Sequence, residues 1–315
     1  MKGLQIHGLG HCAPHNVVTN HDFTKIIDTT EEWIVSRTGI ETRHHATSET
    51  HTDLCVTAAK QALETAGIDP SQIGACIVAT ITPEYTVPAA ACMVHKALSL
   101  PSNIPCFDIN TACTGFLSGL HTMECLLQNS DKPYGLLIGA EVLSRIINFD
   151  DRSTCILFGD GAGAAIVGVH QGVASIGANL GCRGDDQVLT VGGVHAHQGA
   201  HIAMEGTAVF KFAVETVPAC MSAVLQNTGA TIDDVDFFVF HQANARIIDL
   251  AVKKYRIPAD KYYKNIDRYG NTSAASIPMV LSELYQQGKV SSGSRVLCVG
   301  FGGGLTWGGA LITFA

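Results

Sequence analysis

Charge is scarce in this chain. Asp, Glu, Lys and Arg make up 15% of its 315 residues against 46% hydrophobic ones, so a large buried core is expected. What charge there is sums to −8, which excludes bulk attraction to nucleic acid. No C-x-x-C pair occurs among the eleven cysteines, so neither a zinc ribbon nor a thioredoxin-type motif is expected. The cysteines are odd in number and scattered, and free thiols fit a reducing cytoplasm. No run approaches about 18 uninterrupted apolar residues, so no membrane span is expected. The first residues, Met1-Lys-Gly-Leu-Gln-Ile-His7, hold no long apolar stretch of the kind that signals export. Glycine, by contrast, is abundant at 32 residues, which suits tight turns and close approaches of helices. The length allows one large or two medium domains.

Alternating strand-like and helix-like segments fill the chain. Residues 3–9 read as a strand, 20–35 as helical pieces and 52–66 as an amphipathic helix stopped by Gly67. A strand at 75–80, a helix at 88–98 and a strand at 104–109 follow. A helix is then expected from Cys113 to Gln128, a strand over 134–139, and a hairpin-like pair at 154–157 and 163–169.

The second half repeats the first. Leu63, Gly67 and Ile73 match Leu225, Gly229 and Val235 at an offset of 162. Asn110-Thr-Ala-Cys113 matches Asn271-Thr-Ser-Ala274, and Leu137-Ile-Gly139 matches Cys298-Val-Gly300, both at 161. So steady an offset implies two copies of one α/β unit, 1–170 and 171–315, with mostly parallel buried sheets and a ligand site between the halves.

The repeat divides the polar residues. Cys113 stands at a helix start among small residues, where partial positive charge and free N–H groups favour a thiolate; its match is Ala274. His241 follows the apolar run 237–240, and its match is Ala79. Asn271 lies on the loop before the second copy's helix, where capping that helix is its plainest role. A thiol from one half and an imidazole and an amide from the other would meet at the shared interface. The glycine run in Val299-Gly-Phe-Gly-Gly-Gly-Leu-Thr-Trp-Gly-Gly309 lets backbone approach a ligand, or serves close packing alone.

Six stretches together resemble the β-ketoacyl-acyl carrier protein synthase III family of the thiolase-like superfamily. They are Trp33-Ile-Val-Ser-Arg-Thr-Gly-Ile40, Thr111-Ala-Cys-Thr-Gly-Phe116, Phe158-Gly-Asp-Gly-Ala-Gly163, His241-Gln-Ala-Asn-Ala-Arg246, Gly270-Asn-Thr-Ser-Ala-Ala-Ser-Ile-Pro278 and Phe301-Gly-Gly-Gly-Leu-Thr-Trp307. The resemblance implies an α/β fold with a layered αβαβα core and a Cys113-His241-Asn271 triad. It implies that Cys113 takes the acyl group of an acyl-CoA. The N–H groups of Cys113 and Gly303 would hold the oxyanion. His241 and Asn271 would stabilise the enolate left when malonyl-acyl carrier protein loses CO2. Such a condensation needs neither metal nor organic cofactor.

By the same resemblance Trp33, Arg37, Arg152 and, less directly, Thr207 match CoA contacts. Arg246, Lys253, Lys254 and Arg256 belong to a segment, 241–270, with seven cations against three carboxylates, a local net of +4 suited to docking an acidic carrier protein. A solvated helix face is the alternative. Phe301 and Val87 are expected at the acyl pocket. Many family members carry an aromatic residue at the position of Val87, reaching across a homodimer interface into the partner's pocket, and a smaller side chain should admit longer or branched primers. The cluster His195-Ala-His-Gln-Gly-Ala-His201 lacks a carboxylate or Cys at ligand spacing and is expected to be a solvated loop. Two other readings keep the fold. One is a condensing enzyme or acyltransferase of secondary metabolism; the other, a non-catalytic partner subunit, predicts loss of the triad, and all three residues are present.

Overall fold

The computed structural model describes residues 2–193 and 201–315. His195 and His197 of the histidine cluster lie outside them, and His201 is exposed.

Fifteen elements build the core. In the first half they are β1 (Gly3–Cys12), α1 (His51–Ala66), β2 (Ile73–Ala79), α2 (Ala90–Leu98), β3 (Cys106–Ile109), α3 (Gly115–Leu127), β4 (Tyr134–Glu141) and β5 (Gly161–His170). In the second half they are β6 (Asn179–Cys182), α4 (Gly206–Thr228), β7 (Phe237–Phe240), α5 (Ala245–Tyr255), α6 (Ser276–Gln286), β8 (Arg295–Gly302) and β9 (Thr306–Phe314). Helices α1 and α4 both end in a left-handed glycine, Gly67 and Gly229, which satisfies the last carbonyls. Asp108 in β3 accepts the Ala90 and Ala91 N–H groups (2.7 and 2.8 Å), capping α2, which has no side-chain cap of its own.

The strands run β3-β2-β4-β5-β1-β9-β8-β7, with β6 on β9. Among the described residues the two halves of this sheet join where Gln5 and Ile6 of β1 pair with Thr313 and Phe314 of β9. Helices α3 and α6 are buried between the halves in one apolar cluster that draws on both. Helices α1 and α2 cover the outer face of one half, and α4 and α5 that of the other. The five layers are therefore α, β, α, β, α.

The sheet is mixed, not mostly parallel. β2 pairs with β3 and β4 in parallel, as does β7 with β8, but β5 is antiparallel to β1 and β4, and β9 to β6 and β8. The reason is local. β4 to β5 and β8 to β9 connect without a crossover helix, and a direct return gives antiparallel pairing. The segment 154–157 is also not a strand. Thr154 and Cys155 N–H groups turn back to the Asp151 carbonyl, and the apolar side chains pack against Phe23 and Ile34 instead. Helix α4 is long and apolar enough to cross a membrane, but its apolar face (Phe212, Val217, Met221, Val224) lies against β8, β9 and α5.

Candidate active site

Two sharp turns meet where the halves face each other. In the first half Thr111 leads into a 3₁₀ turn, Ala112–Thr114, and then α3; in the second, Thr272 leads into Ser273–Ala275 and then α6. The turns correspond atom for atom in two details. The Asn110 side-chain oxygen accepts the Ala112 N–H (3.3 Å), and the Asn271 oxygen accepts the Ser273 N–H (2.9 Å). Ala112 and Ser273 both hold left-handed backbone, at φ 47° and 49°. Non-glycine residues rarely do this, and such strain concentrates where a side chain must be presented.

The first turn presents Cys113. It is nine-tenths buried, and it lines a cavity of about 590 Å³. Gly302, at the end of β8, lies against it so closely that a Cβ there would stand 2.9 Å from both the Cys113 N and Cβ atoms. The next residue, Gly303, lies over Ala112. Cys113 precedes α3 by two residues, and burial pushes the thiol up to about 12. The Ser273 hydroxyl pulls the other way, and the Glu141 carboxylate adds to the upward push. The thiolate expected from the sequence is thus a neutral thiol at rest.

His241 follows β7 directly and lines the same cavity. Burial holds its imidazole down at about 3, so it is neutral across the working range. Its Nδ1 meets the Ser276 hydroxyl at 2.6 Å, and Ser276 Oγ also accepts the Gln242 N–H at 3.3 Å. Its Nε2 has no partner among the described residues. The Phe301 ring stands edge-on to the imidazole, 5.6 Å between centroids, and also lines the cavity. Asn271 is buried and reaches the same space. Its oxygen is taken by Ser273, and its Nδ2 group has no partner among the described residues. Asn271 therefore does not cap the helix, whose N-cap position is Ala275 with no side-chain cap; its oxygen holds the 3₁₀ turn that precedes it.

The cavity mouth is lined by Trp33, Arg37, Thr207 and Arg246. Arg152 is not on the wall itself. Its guanidinium lies over the Trp33 ring at 4.5 Å, with Arg37 at 6.0 Å, and Arg152 also donates to the Asp28 carbonyl (2.8 Å). Lys253, Lys254 and Arg256 continue from Arg246 along α5 and its cap, all exposed and without an ion pair among the described residues. The other cations of the segment are engaged. Lys264 pairs with Asp249, Arg268 with Glu283, and Lys261 donates to the Val235 carbonyl. Val87 does not reach the cavity of its own chain; it is 84% exposed, on the loop after β2. Among the described residues no cluster of three metal-binding side chains occurs.

Residues 107–184 match the model of the 3-oxoacyl-[acyl-carrier-protein] synthase III family, and residues 225–314 match that of its C-terminal part. A β-ketoacyl-[acyl-carrier-protein] synthase III of Desulfitobacterium hafniense is 44% identical, aligned over 100% of this chain and 99% of its own. This chain belongs to the β-ketoacyl-[acyl-carrier-protein] synthase III family. It is by that membership a condensing enzyme of the acyltransferase type. A synthase III structure from Aquifex aeolicus superposes with a TM-score of 0.93 at 40% identity, covering 99% of this chain and 100% of the other. The priming β-ketosynthase of the R1128 polyketide pathway superposes with 0.94 at 33% identity, covering 99% and 96%.

Three residues beside Cys113 and His241 escaped the sequence reading: Ser276, Ser273 and Glu141. The repeat held the signal for each. Ser276 matches Gly115, Ser273 matches Ala112, and Glu141 matches Gly302, all at an offset of 161, and each pair sets a polar side chain against a small or absent one.

Proposed function

We propose that the chain primes fatty acid synthesis by condensing an acyl-CoA with malonyl-acyl carrier protein, with Cys113, His241 and Asn271 as its catalytic residues. The observation that carries the reading is the meeting of a buried thiol, a neutral imidazole and a free amide N–H in one cavity, supplied by opposite halves. Cys113 gives its proton to His241 Nε2 as its sulfur attacks the thioester carbon, and CoA leaves as the thiol by taking that proton back. The N–H groups of Cys113 and Gly303 stabilise the tetrahedral oxyanion. Malonyl thioester then loses CO2. The electron pair of the broken C–C bond passes to the thioester oxygen, held by His241 Nε2–H and Asn271 Nδ2–H. The enolate carbon attacks the acyl carbon, and the Cys113 sulfur departs. His241 must accept at Nε2 in the first stage and donate there in the second. Ser276 suits both, because a hydroxyl bonds either tautomer at Nδ1.

Trp33, Arg37, Arg152 and Thr207 bind CoA at the mouth, the Trp33 face stacking on the base and the guanidinium groups meeting phosphate. Arg246, Lys253, Lys254 and Arg256 dock the acidic carrier protein, supported by their exposure on one helix beside that mouth. The divisions 1–170 and 171–315 act as two units of one site. The protein works in the cytoplasm as a homodimer. In it Val87, exposed in its own chain, closes the partner's acyl pocket beyond Phe301 and leaves room for primers longer or more branched than acetyl.

The test is intact-mass measurement after incubation with acyl-CoAs. An acyl adduct is expected, absent in Cys113→Ala; no adduct with any acyl-CoA overturns the mechanism. A primer series with Val87→Phe alongside tests the pocket, and strict acetyl preference in both proteins ends that part of the reading. Likeness to the R1128 priming enzyme favours a second pathway assignment, polyketide priming. Assays with fatty acid and polyketide carrier proteins separate the two.

A further inference from the structure

Glu141 ends β4 and is fully buried, yet it forms no ion pair among the described residues. Thr80 and Thr82 hydroxyls donate to it at 3.2 and 2.6 Å, and the Ile81 N–H at 3.1 Å. Thr82 is fixed in turn because its oxygen accepts the Val142 N–H (2.8 Å). These contacts explain how the carboxyl holds the loop after β2. All three fall on Oε2, and Oε1 takes only a longer contact from the same Ile81 N–H, at 3.3 Å.

Ser273 is a neighbour of this carboxyl and of the Cys113 thiol. Its hydroxyl is buried and makes no hydrogen bond of ordinary geometry, although it is close enough to the Glu141 carboxyl and the Cys113 thiol to favour the charged form of each. The turn that carries it rests directly on β4: a Cβ on Gly139 would lie 2.2 Å from the Ala274 carbonyl oxygen. The backbone does not require a serine there. Ala112 adopts the same left-handed conformation in the matching turn with no hydroxyl. Nor does the strand end require a carboxyl, since its match is Gly302. Both departures from the repeat point at the same sulfur.

We propose that Glu141 and Ser273 are positioning residues that set the reactivity of Cys113, the Ser273 hydroxyl turning between the carboxyl and the sulfur according to whether Glu141 carries a proton. With Glu141 protonated, its O–H donates to Ser273 Oγ and the Ser273 O–H donates to the sulfur. The thiolate formed as His241 takes the thiol proton is then stabilised. With Glu141 ionised, the carboxylate accepts only. It draws the Ser273 O–H to itself and sets a like charge near the sulfur. No bond other than O–H and hydrogen bonds changes.

Burial brings the carboxyl up to about 7, so this exchange falls in the working range. The ionisable groups around it do not compete. His51, on α1, meets Thr80 at 3.0 Å and the Ala140 carbonyl at 3.1 Å, and burial keeps it neutral. Cys55, one turn along, is held as a thiol by burial. Glu84, Asp108 and Arg145 act on His51, and the first two on Cys55.

The inference rests on Cys113 being the nucleophile, and its test avoids acyl substrate. The rate of Cys113 alkylation by iodoacetamide, located by peptide mass, is followed in the whole protein from acid to alkaline pH. Wild type is expected to show two ionisations. Glu141→Gln removes the lower one, and Thr82→Val, which takes a donor from the carboxylate, moves it upward. Ser273→Ala raises the thiol midpoint by about one unit, slowing alkylation about tenfold at neutral pH. A wild-type profile in Ser273→Ala, or two ionisations in Glu141→Gln, overturns the proposal. Should Glu141→Gln not fold, Ser273→Ala decides alone, because Ala112 shows the turn accepts alanine. Normal acylation by acyl-CoA with unshifted profiles defeats this inference only. Shifted profiles without acylation support it and defeat the proposed function.

Discussion

The turn at Cys113 and the turn at Ser273 share one backbone and do different work. Each begins with an asparagine whose oxygen caps the turn, each passes through a left-handed residue, and each opens a helix buried between the sheet halves. In the first, the residue after the strained position is the cysteine; in the second it is Ala274. The strand ends beneath them are exchanged as well: Gly302 lies bare against Cys113, while Glu141 fills the matching place near Ser273. The comparison shows that the fold supplies two equivalent turns and that their side chains, Cys113 on one and Ser273 on the other, tell them apart.

Cys113→Ala breaks the comparison most completely, since it leaves alanine on both turns. Acyl transfer should vanish by intact mass, while malonyl decarboxylation persists, because the enolate donors are untouched. Asn271→Ala and His241→Ala should each slow decarboxylation about a hundredfold or more, as loss of one oxyanion donor does elsewhere, with Asn271→Ala sparing Cys113 acylation. Release of CO2 and formation of the adduct, measured separately, check this; equal loss of both in Asn271→Ala counts against its role.

The pair Glu141 and Gly302 sharpens the comparison through stability. Glu141 is raised from 4.5 in the unfolded chain to about 7 in the fold, so between those values the native state binds the extra proton. That group's contribution is fully present below pH 4.5 and is lost as pH rises through 7. The loss reaches about 3 kcal/mol. Thermal unfolding of Glu141→Gln should therefore gain on wild type as pH rises from 5 to 8; a constant difference refutes the assignment. Gly302→Ala puts a Cβ into the cysteine turn and should cost about 1–3 kcal/mol along with slower acylation. The smallest effect is expected at the strained position itself. Ala112→Gly should stabilise by less than about 1 kcal/mol in urea unfolding, relief of strain being offset by glycine's unfolded-state entropy.

The sequence made half of this legible. A steady offset revealed the duplication, and strand-end positions placed His241 and the cysteine turn on the interface. It could not reveal direction within the sheet. The pairing of β5 and β9 depends on connections that carry no helix, and an apolar strand looks alike in either sense. Segment 154–157 reads as a strand by composition, yet Asp151 gathers its N–H groups. Thiol charge escaped for a similar reason. A helix start is visible in sequence, but the desolvation that overrides it comes from residues nearly two hundred positions away, Gly302 among them. Arg152 is singled out by likeness alone, because its stacking on Trp33 joins segments with no common pattern.

The two-residue seam between β1 and β9 has a bearing on how the molecule comes into being. Gln5 and Ile6 meet Thr313 and Phe314, so nearly the whole chain lies inside the loop that this seam closes. Contacts so remote in sequence form late, after the entropy of a long loop has been overcome. The half that bears Cys113 can collapse early around β4 and α3, but Gly302, His241 and Asn271 come only with the later strands. Cys113 thus acquires these neighbours in the same event that joins the two halves of the sheet.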